Sequence, residues 1–405
     1  MTQEAAVGRA GEERPASQAV IFLLALACAI VVANIYYIQP LVGLISRDYG
    51  FPISSSGLLV TVTQLGYAAG LILIVPLADT VENRRLILVL LGILVVCLLV
   101  IVSAPTITVF LAASAMVGLM SSAVQVMVPL AGHLATDATR GRVVGSVVGG
   151  LLLGIMLSRP AASLFAHFLG GRSIFAVSAG ATVLLGLVLA VRLPPRHPHG
   201  MPYLRALASL GPLLVNIRTL RRRAAYQSAL FGCFSLFWTS VPLLLEGPRF
   251  QFSQMGIGIF ALVGAGGAVI SPFAGRAADA GYSHRVTGLA LLGGILGLLI
   301  AMAGGFWTSW PLLVAAAVIL DMAAAAHLVT GQREIFALGP ETRGRLNGLY
   351  LALFFAAGAI GSFAAGLAYA HGGWTAACLV GLLFPLAALA YYATEPKGFA
   401  PDRAD

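Results

Sequence analysis

The amino-acid sequence predicts an all-α membrane protein: twelve transmembrane helices in two six-helix bundles related by a parallel pseudo-repeat. Three observations carry that expectation. Hydrophobic residues are 59% and charged residues 10% of the 405, a balance that would leave too much apolar surface facing water. Each half of the chain holds six apolar runs of about 20 residues, the length a helix needs to cross ~30 Å of hydrocarbon. The two halves also repeat one another in the same order at nearly constant spacing, as internally duplicated membrane proteins do.

The repeat is legible residue by residue. Thr139-Arg140-Gly141-Arg142 recurs as Thr342-Arg343-Gly344-Arg345, and at the same offset of 203 Gly145 recurs as Gly348 and Gly170 as Gly373. Asp79 recurs as Asp279, with Arg84-Arg85 answered by His284-Arg285, at an offset of 200; Pro40 recurs as Pro242. Between the copies lies a basic, proline-containing linker. The expected organisation is a polar N-terminal tail (1–17), an N-terminal bundle (18–192), a cytoplasmic linker with an interfacial helix (193–223), a C-terminal bundle (224–394) and a short tail (395–405).

The expected spans run 18–45, 54–79, 85–104, 107–133, 142–167 and 173–192, then 224–247, 253–278, 285–305, 309–333, 342–370 and 374–394. Long continuous apolar runs argue against a β-barrel, whose strands would alternate. Of 24 Lys and Arg residues, 20 fall on the linker's side when both termini are counted there, which predicts cytoplasmic termini in the plasma (inner) membrane. The net charge of +9 is then a topology signal in a lipid bilayer, with no nucleic acid as partner. Cys28, Cys97, Cys233 and Cys378 lie in four separate runs, so neither a disulfide framework nor a metal site is expected. His197 and His199, set apart by proline, do not make one either. Residues 18–45 read as a retained span and not as a signal peptide, because of their length and the polar Asn34 and Gln39.

Polar groups at membrane depth are costly unless they meet partners or water, so they mark candidate cavity walls. In span 1 these are Asn34, Tyr36, Tyr37 and Gln39, with an interfacial aromatic belt as the competing reading of the tyrosines. Span 2 adds Gln64 and Tyr67, span 4 Gln125, span 7 Trp238, span 10 Gln332, and span 11 Asn347 and Tyr350. Span 5 carries a seam of Gly145, Gly149, Gly150 and Gly154, suited to close helix packing, followed by Arg159. A guanidinium in an apolar run needs an acid, carbonyls, water or an anionic ligand. Span 10 carries the one acid placed at mid-membrane, Asp321. A carboxylate away from water favours its neutral form, which suits it to take up and release a proton in step with a conformational change; a permanent bridge to Arg159 is the alternative. His327 is a possible helper. At the linker, Arg205, Arg218 and Arg221 to Arg223 are expected near lipid phosphates, and Glu246 and Arg249 are expected to stay solvated.

The segment Val75-Pro-Leu-Ala-Asp79-Thr-Val-Glu-Asn-Arg84-Arg85 resembles the loop between spans 2 and 3 of the major facilitator superfamily, G-x-L-A-D-R-x-G-R-R/K. Leu77, Ala78, Asp79 and Arg84 match it; Val75, Thr80, Glu82 and Asn83 depart from it. The second copy keeps Gly275 and Asp279. Tyr-Tyr-Ile-Gln-Pro in span 1, Pro-Leu-Ala-Asp in span 2 and Leu-Asp followed by His327 in span 10 are most similar to the bacterial drug and sugar efflux permeases. The resemblance implies a cytoplasmic gate built from Asp79, Arg84, Arg85, Asp279, Arg285, Arg140, Arg142, Arg343 and Arg345. Where the family often carries an arginine in span 4, this chain has Ser114, so coupling must use other residues.

The expectation is a monomeric secondary transporter that exports a small drug-like molecule or sugar by proton antiport. Asp321, Arg159 and His327 are the coupling groups. With no P-loop, the proton gradient is the energy source and no cofactor is needed. Proton-coupled import of a small anionic or sugar nutrient is the alternative. An integral membrane enzyme would need a nucleophile, a metal cluster or paired acids, and the sequence offers none.

Overall fold

The computed structural model describes residues 17–136, 138–198, 200–262, 266–339 and 342–395. All of the expected N-terminal tail but Ser17, His199, and the C-terminal tail beyond Glu395 lie outside the described residues.

The first half is α1 (Gln18–Ala33), α2 (Val42–Asp48), α3 (Ile53–Ser56), α4 (Leu58–Leu73), α5 (Asn83–Ser103), α6 (Ile107–Ser121), α7 (Val124–His133), α8 (Arg140–Leu169) and α9 (Ser173–Arg192). The linker contributes α10 (Tyr203–Asn216). The second half is α11 (Arg218–Glu246), α12 (Gln254–Ala261), α13 (Gly266–Asp279), α14 (Ser283–Phe306), α15 (Trp310–Phe336) and α16 (Arg343–Tyr392). Among the described residues nine helices are long and apolar enough to cross a membrane. The last of these, α16, holds two helices on either side of non-helical Gly372 and Gly373. α1 is apolar but shorter, 16 residues, and breaks at Asn34 before the chain resumes through Gln39–Leu41 into α2.

The repeat seen in sequence is a repeat of local geometry. Thr139 and Thr342 precede α8 and α16 with nearly equal backbone angles, φ −108° and −99°. Gly170 and Gly373 turn the chain at equivalent points with φ +94° and +62°, a region where a side chain would be strained. Two seams of small residues also correspond. Gly150 and Gly154 lie against the backbone of Ala25 and Ala29 in α1, and Gly361 lies against the backbone of Gly232 in α11. Gly150 and Gly154 of the α8 seam are thus a packing surface, whereas a side chain at Gly145 or Gly149 would meet open space.

The halves meet along α4 with α16 and α8 with α12. Gln64 crosses this interface: its Nε2 donates to Ser235 Oγ at 2.6 Å, and its Oε1 accepts from Ser362 Oγ at 3.2 Å. At the end opposite the linker, Arg47 Nη1 donates to Glu246 Oε2 at 2.8 Å and Gln254 Nε2 to Glu246 Oε1 at 2.5 Å. Glu246 is therefore not the solvated group the sequence suggested; its side chain is 9% exposed, because cross-bundle contact brings a cation to it.

A second correction concerns the linker end. Arg222 and Arg223, expected at lipid phosphates, are buried. Arg223 pairs with Glu334 and, at 2.7 Å, with Glu395; Tyr226 Oη donates to the other oxygen of Glu395 at 2.8 Å. Arg222 donates to Tyr226 Oη and to Thr394. Thr394 and Glu395, just past α16, tie its end to the start of α11, and Glu395 lies 3.8 Å from His284 at the start of α14.

Candidate functional site at the bundle interface

Helices α8, α11 and α15, with the broken segment after α1, bring four polar groups together at the interface. Arg159, on α8, is 3% exposed, and its Nε donates to Gln39 Oε1 at 2.7 Å. Its guanidinium carbon lies 4.4 Å from the Trp238 ring centroid, 5.1 Å from Tyr36 and 5.2 Å from Phe234. A cation held desolvated against an aromatic face gains about 2 kcal/mol or more. Tyr36 and Trp238 stand 202 residues apart, the offset of Pro40 and Pro242. The cation is thus held between corresponding aromatics of the two repeats.

Trp238 also joins Arg159 to Asp321. Its Nε1 donates to Asp321 Oδ1 at 2.9 Å, while its ring face meets the guanidinium. Asp321 is 5% exposed on α15 and feels the charge of Arg159, yet no direct ion pair links the two. The permanent bridge considered from sequence is replaced by an indole between the charges. Two donors here remain unbonded: Arg159 Nη2 and Gln39 Nε2. Beside Arg159 lies a small cleft lined by Pro40, Trp238, Val241, Pro242, Ile257 and Phe260. Its volume of about 10 Å³ holds one water at most, so a larger ligand requires the bundles to part.

The other expected cavity residues are distributed differently. Asn34 spends its amide on the Ile30 and Val31 carbonyls and accepts from Ser178 in α9 at 2.8 Å. Tyr37 packs edge-on against Phe175, also in α9. Both belong to the interior of their own bundle, because the break after Ala33 turns them away from the second half. Gln125 Nε2 donates to Tyr67 Oη at 3.2 Å, and Tyr67 packs against Phe355 across the interface. Gln332 and Asn347 bond one another at 3.0 Å within the second bundle. His327 sits apart from Asp321: its Nδ1 faces Gln227 Oε1 at 2.8 Å, and its Nε2, like Tyr350 Oη, is buried without a partner.

The expected gate residues are also reassigned in part. Asp79 is faced by Arg196, Arg345 and His133, whereas Arg84 bonds the Ala190 carbonyl and Arg85 is exposed. Asp279 pairs with Arg333, while Arg285 lies over Tyr282. Arg140 and Arg343 donate to the Gly132 and Phe336 carbonyls at 3.2 and 2.8 Å, capping the helices that precede them. Arg142 is exposed, and Arg345 reaches Ser209 of α10 at 2.8 Å. Glu82, a departure from the family pattern, accepts from the backbone amides of Arg84 and Arg85 at 2.7 and 2.9 Å and from that of Arg196 at 3.2 Å. Partial burial pushes its carboxyl up, and the three amide donors outweigh that and hold it below its ordinary range.

Sequence reading missed Ser235, Ser362, Arg196, Arg333, Glu334 and Glu395. Ser362 carried a usable signal, since it occupies the repeat position of Arg159, at the offset of 203.

The family model for the major facilitator superfamily matches residues 24–279 and 264–404. The chain belongs to the major facilitator superfamily. The transporter YgaY of Escherichia coli K12 is 38% identical over 371 residues, which cover 91% of this chain and 94% of YgaY. The transporter SCO4007 of Streptomyces coelicolor is 33% identical, over 91% of this chain and 86% of that one. In fold, a bacterial homologue of the human lysosomal transporter Spinster, inward-facing and unoccupied, matches with a TM-score of 0.74, 15% identity and coverage of 95% and 97%. The nucleoside transporter NupG, as a D323A mutant, matches with 0.73, 13% identity and coverage of 92% and 99%. The two-bundle expectation therefore holds: this superfamily member is a multi-pass membrane protein and a secondary transporter, and its relatives and fold point to transport, not catalysis.

Proposed function

We propose that this protein is a proton-coupled secondary transporter for a small organic molecule, with twelve crossings in the plasma membrane and both termini cytoplasmic. Asp321 carries the proton. Cargo occupies the space that opens beside Arg159 when the bundles rock about the interface of α4 with α16 and α8 with α12. The observation that carries this reading is Asp321 itself: a carboxylate 5% exposed at a bundle interface, held by one indole and near a cation it does not touch. Such a group gains or loses its charge according to what enters beside it.

The likeness to drug and sugar efflux permeases supports export by antiport, in which cargo and proton compete for Asp321. One observation favours the second reading, movement of cargo and proton together. The spare donors at the site, on Arg159 and Gln39, suit an anion, and an anion beside Asp321 favours its protonated form. Reconstituted vesicles with an internal pH indicator separate the two: cargo entering with acidification means cotransport, and cargo entering with alkalinisation means exchange. Proton movement that is independent of every cargo tested overturns the coupling altogether.

A further inference from the structure

A guanidinium can only donate hydrogen bonds. Gln39 must therefore turn its oxygen toward Arg159 Nε, and this fixes the Gln39 Nε2 as a second donor on the same side chain. Neither that nitrogen nor Arg159 Nη2 has a partner, although Gln39 is 0% and Arg159 3% exposed. Leaving such donors unmet in a dry interior is costly, and more so for a charged group. Arg159 lines a cleft whose other walls, among them Pro40, Val241, Pro242, Ile257 and Phe260, are apolar, and Gln39 immediately precedes Pro40 of that wall. The rings of Tyr36 and Trp238 lie 5.1 and 4.4 Å from the guanidinium carbon and supply no carboxylate or carbonyl acceptor to it.

We propose that Arg159 and Gln39 form the receptor for a carboxylate, and that the cargo is a monovalent organic acid whose apolar or aromatic body occupies the space that opens between Pro40, Pro242 and Phe260 when the bundles part. The proposal rests on the cavity reading given above and names its cargo class. A carboxylate fits because its two oxygens can accept from the two spare donors, one of them on a permanent cation. A cationic amine meets the wrong charge at Arg159, and a sugar finds too few polar groups on the walls. Asp321 is the counter-charge of the empty site. When it takes up a proton, the charge of Arg159 is left for the cargo, so the proton and the acid strengthen each other's binding.

The test is equilibrium binding to the purified full-length protein in lipid nanodiscs, by calorimetry, with benzoate and 2-naphthoate against benzylamine and benzyl alcohol. The two acids are expected to bind saturably, more tightly at mildly acidic than at mildly alkaline pH, and the amine and alcohol not to bind. Gln39→Leu and Arg159→Gln are expected to weaken the acids roughly tenfold or more. Asp321→Asn is expected to bind them without pH dependence and as tightly as the wild type at acidic pH. Binding of benzylamine in place of the acids, no binding of either acid, or equal acid binding by Gln39→Leu overturns the proposal, and Gln39→Leu keeps the test open should Arg159→Gln fail to fold. Binding needs no gradient, so the two readings fail separately. Acids that bind without moving protons sink the coupling, and proton-coupled transport of amines alone sinks the receptor.

Discussion

Arg159 and Arg223 are equally buried, each 3% exposed, yet the protein treats them in opposite ways. Arg223 is fully engaged: Nε with Glu334, Nη2 with Glu395 and Nη1 with Thr287 Oγ1 at 3.3 Å. Arg159 has one hydrogen bond, three aromatic faces, an acid that it does not touch and an idle Nη2. A buried charge that is completely paired is a fastening, since any movement breaks bonds the interior cannot replace. One that is left incompletely paired at an interface stores interaction for something that arrives later. The difference separates a structural cluster from a working one where burial alone does not.

The largest effect is expected at Asp321. Asp321→Asn should lower gradient-driven transport by roughly a hundredfold or more while cargo exchange without a gradient persists, because the carrier of the coupled proton is gone. Vesicle flux with and without a pH gradient checks this, and gradient-driven flux at the wild-type rate ends the coupling role.

Next comes stability. Arg223→Met strands the buried Glu395 and takes the partner from the partly exposed Glu334, and should cost about 3–5 kcal/mol, read as a marked fall in thermal midpoint. Arg159→Met removes a charge that was never fully paired and should cost clearly less while abolishing acid binding. Equal losses would erase the distinction between the two arginines.

A smaller effect is expected from Arg47→Gln. This arginine is 63% exposed in its pair with Glu246, so the loss is about 1 kcal/mol or less. It should appear as faster labelling of a cysteine placed at Ser46, as the end opposite the linker opens more often; an unchanged labelling rate counts against a role in closure.

The smallest concerns Glu82. Its carboxyl is held below the ordinary range, so its contribution is present above that range and is lost as pH falls through the depressed value. Glu82→Gln should lower stability by about 1 kcal/mol or less at neutral pH, and the gap from wild type should close on acidification. A gap that widens in acid is the contrary result.

Much of the architecture is legible in the order of the residues, and the reasons are one-dimensional. Hydrophobic runs of membrane length, the recurrence of Thr-Arg-Gly-Arg at a fixed offset and arginine bias between loops are all properties of order along the chain. Asp321 and Arg159 stand out by the same logic, since a charge within an apolar run is conspicuous by composition alone. The same logic misplaces Asn34 and Tyr37, which face α9, and Arg222 and Arg223, which composition puts at lipid phosphates. A helical repeat says which residues share a face; it does not say which neighbour that face meets.

Order along the chain accounts for its division into two similar apolar halves and for the positions of its costliest groups. The tertiary structure alone decided their partners. Gln39 meets Arg159 across 120 residues, Trp238 meets Asp321 across 83 and Arg223 meets Glu395 across 172. The reason is physical. Burial follows from local composition, whereas a hydrogen bond requires two atoms within about 3 Å, and only the packing of several helices at once fixes a distance that short.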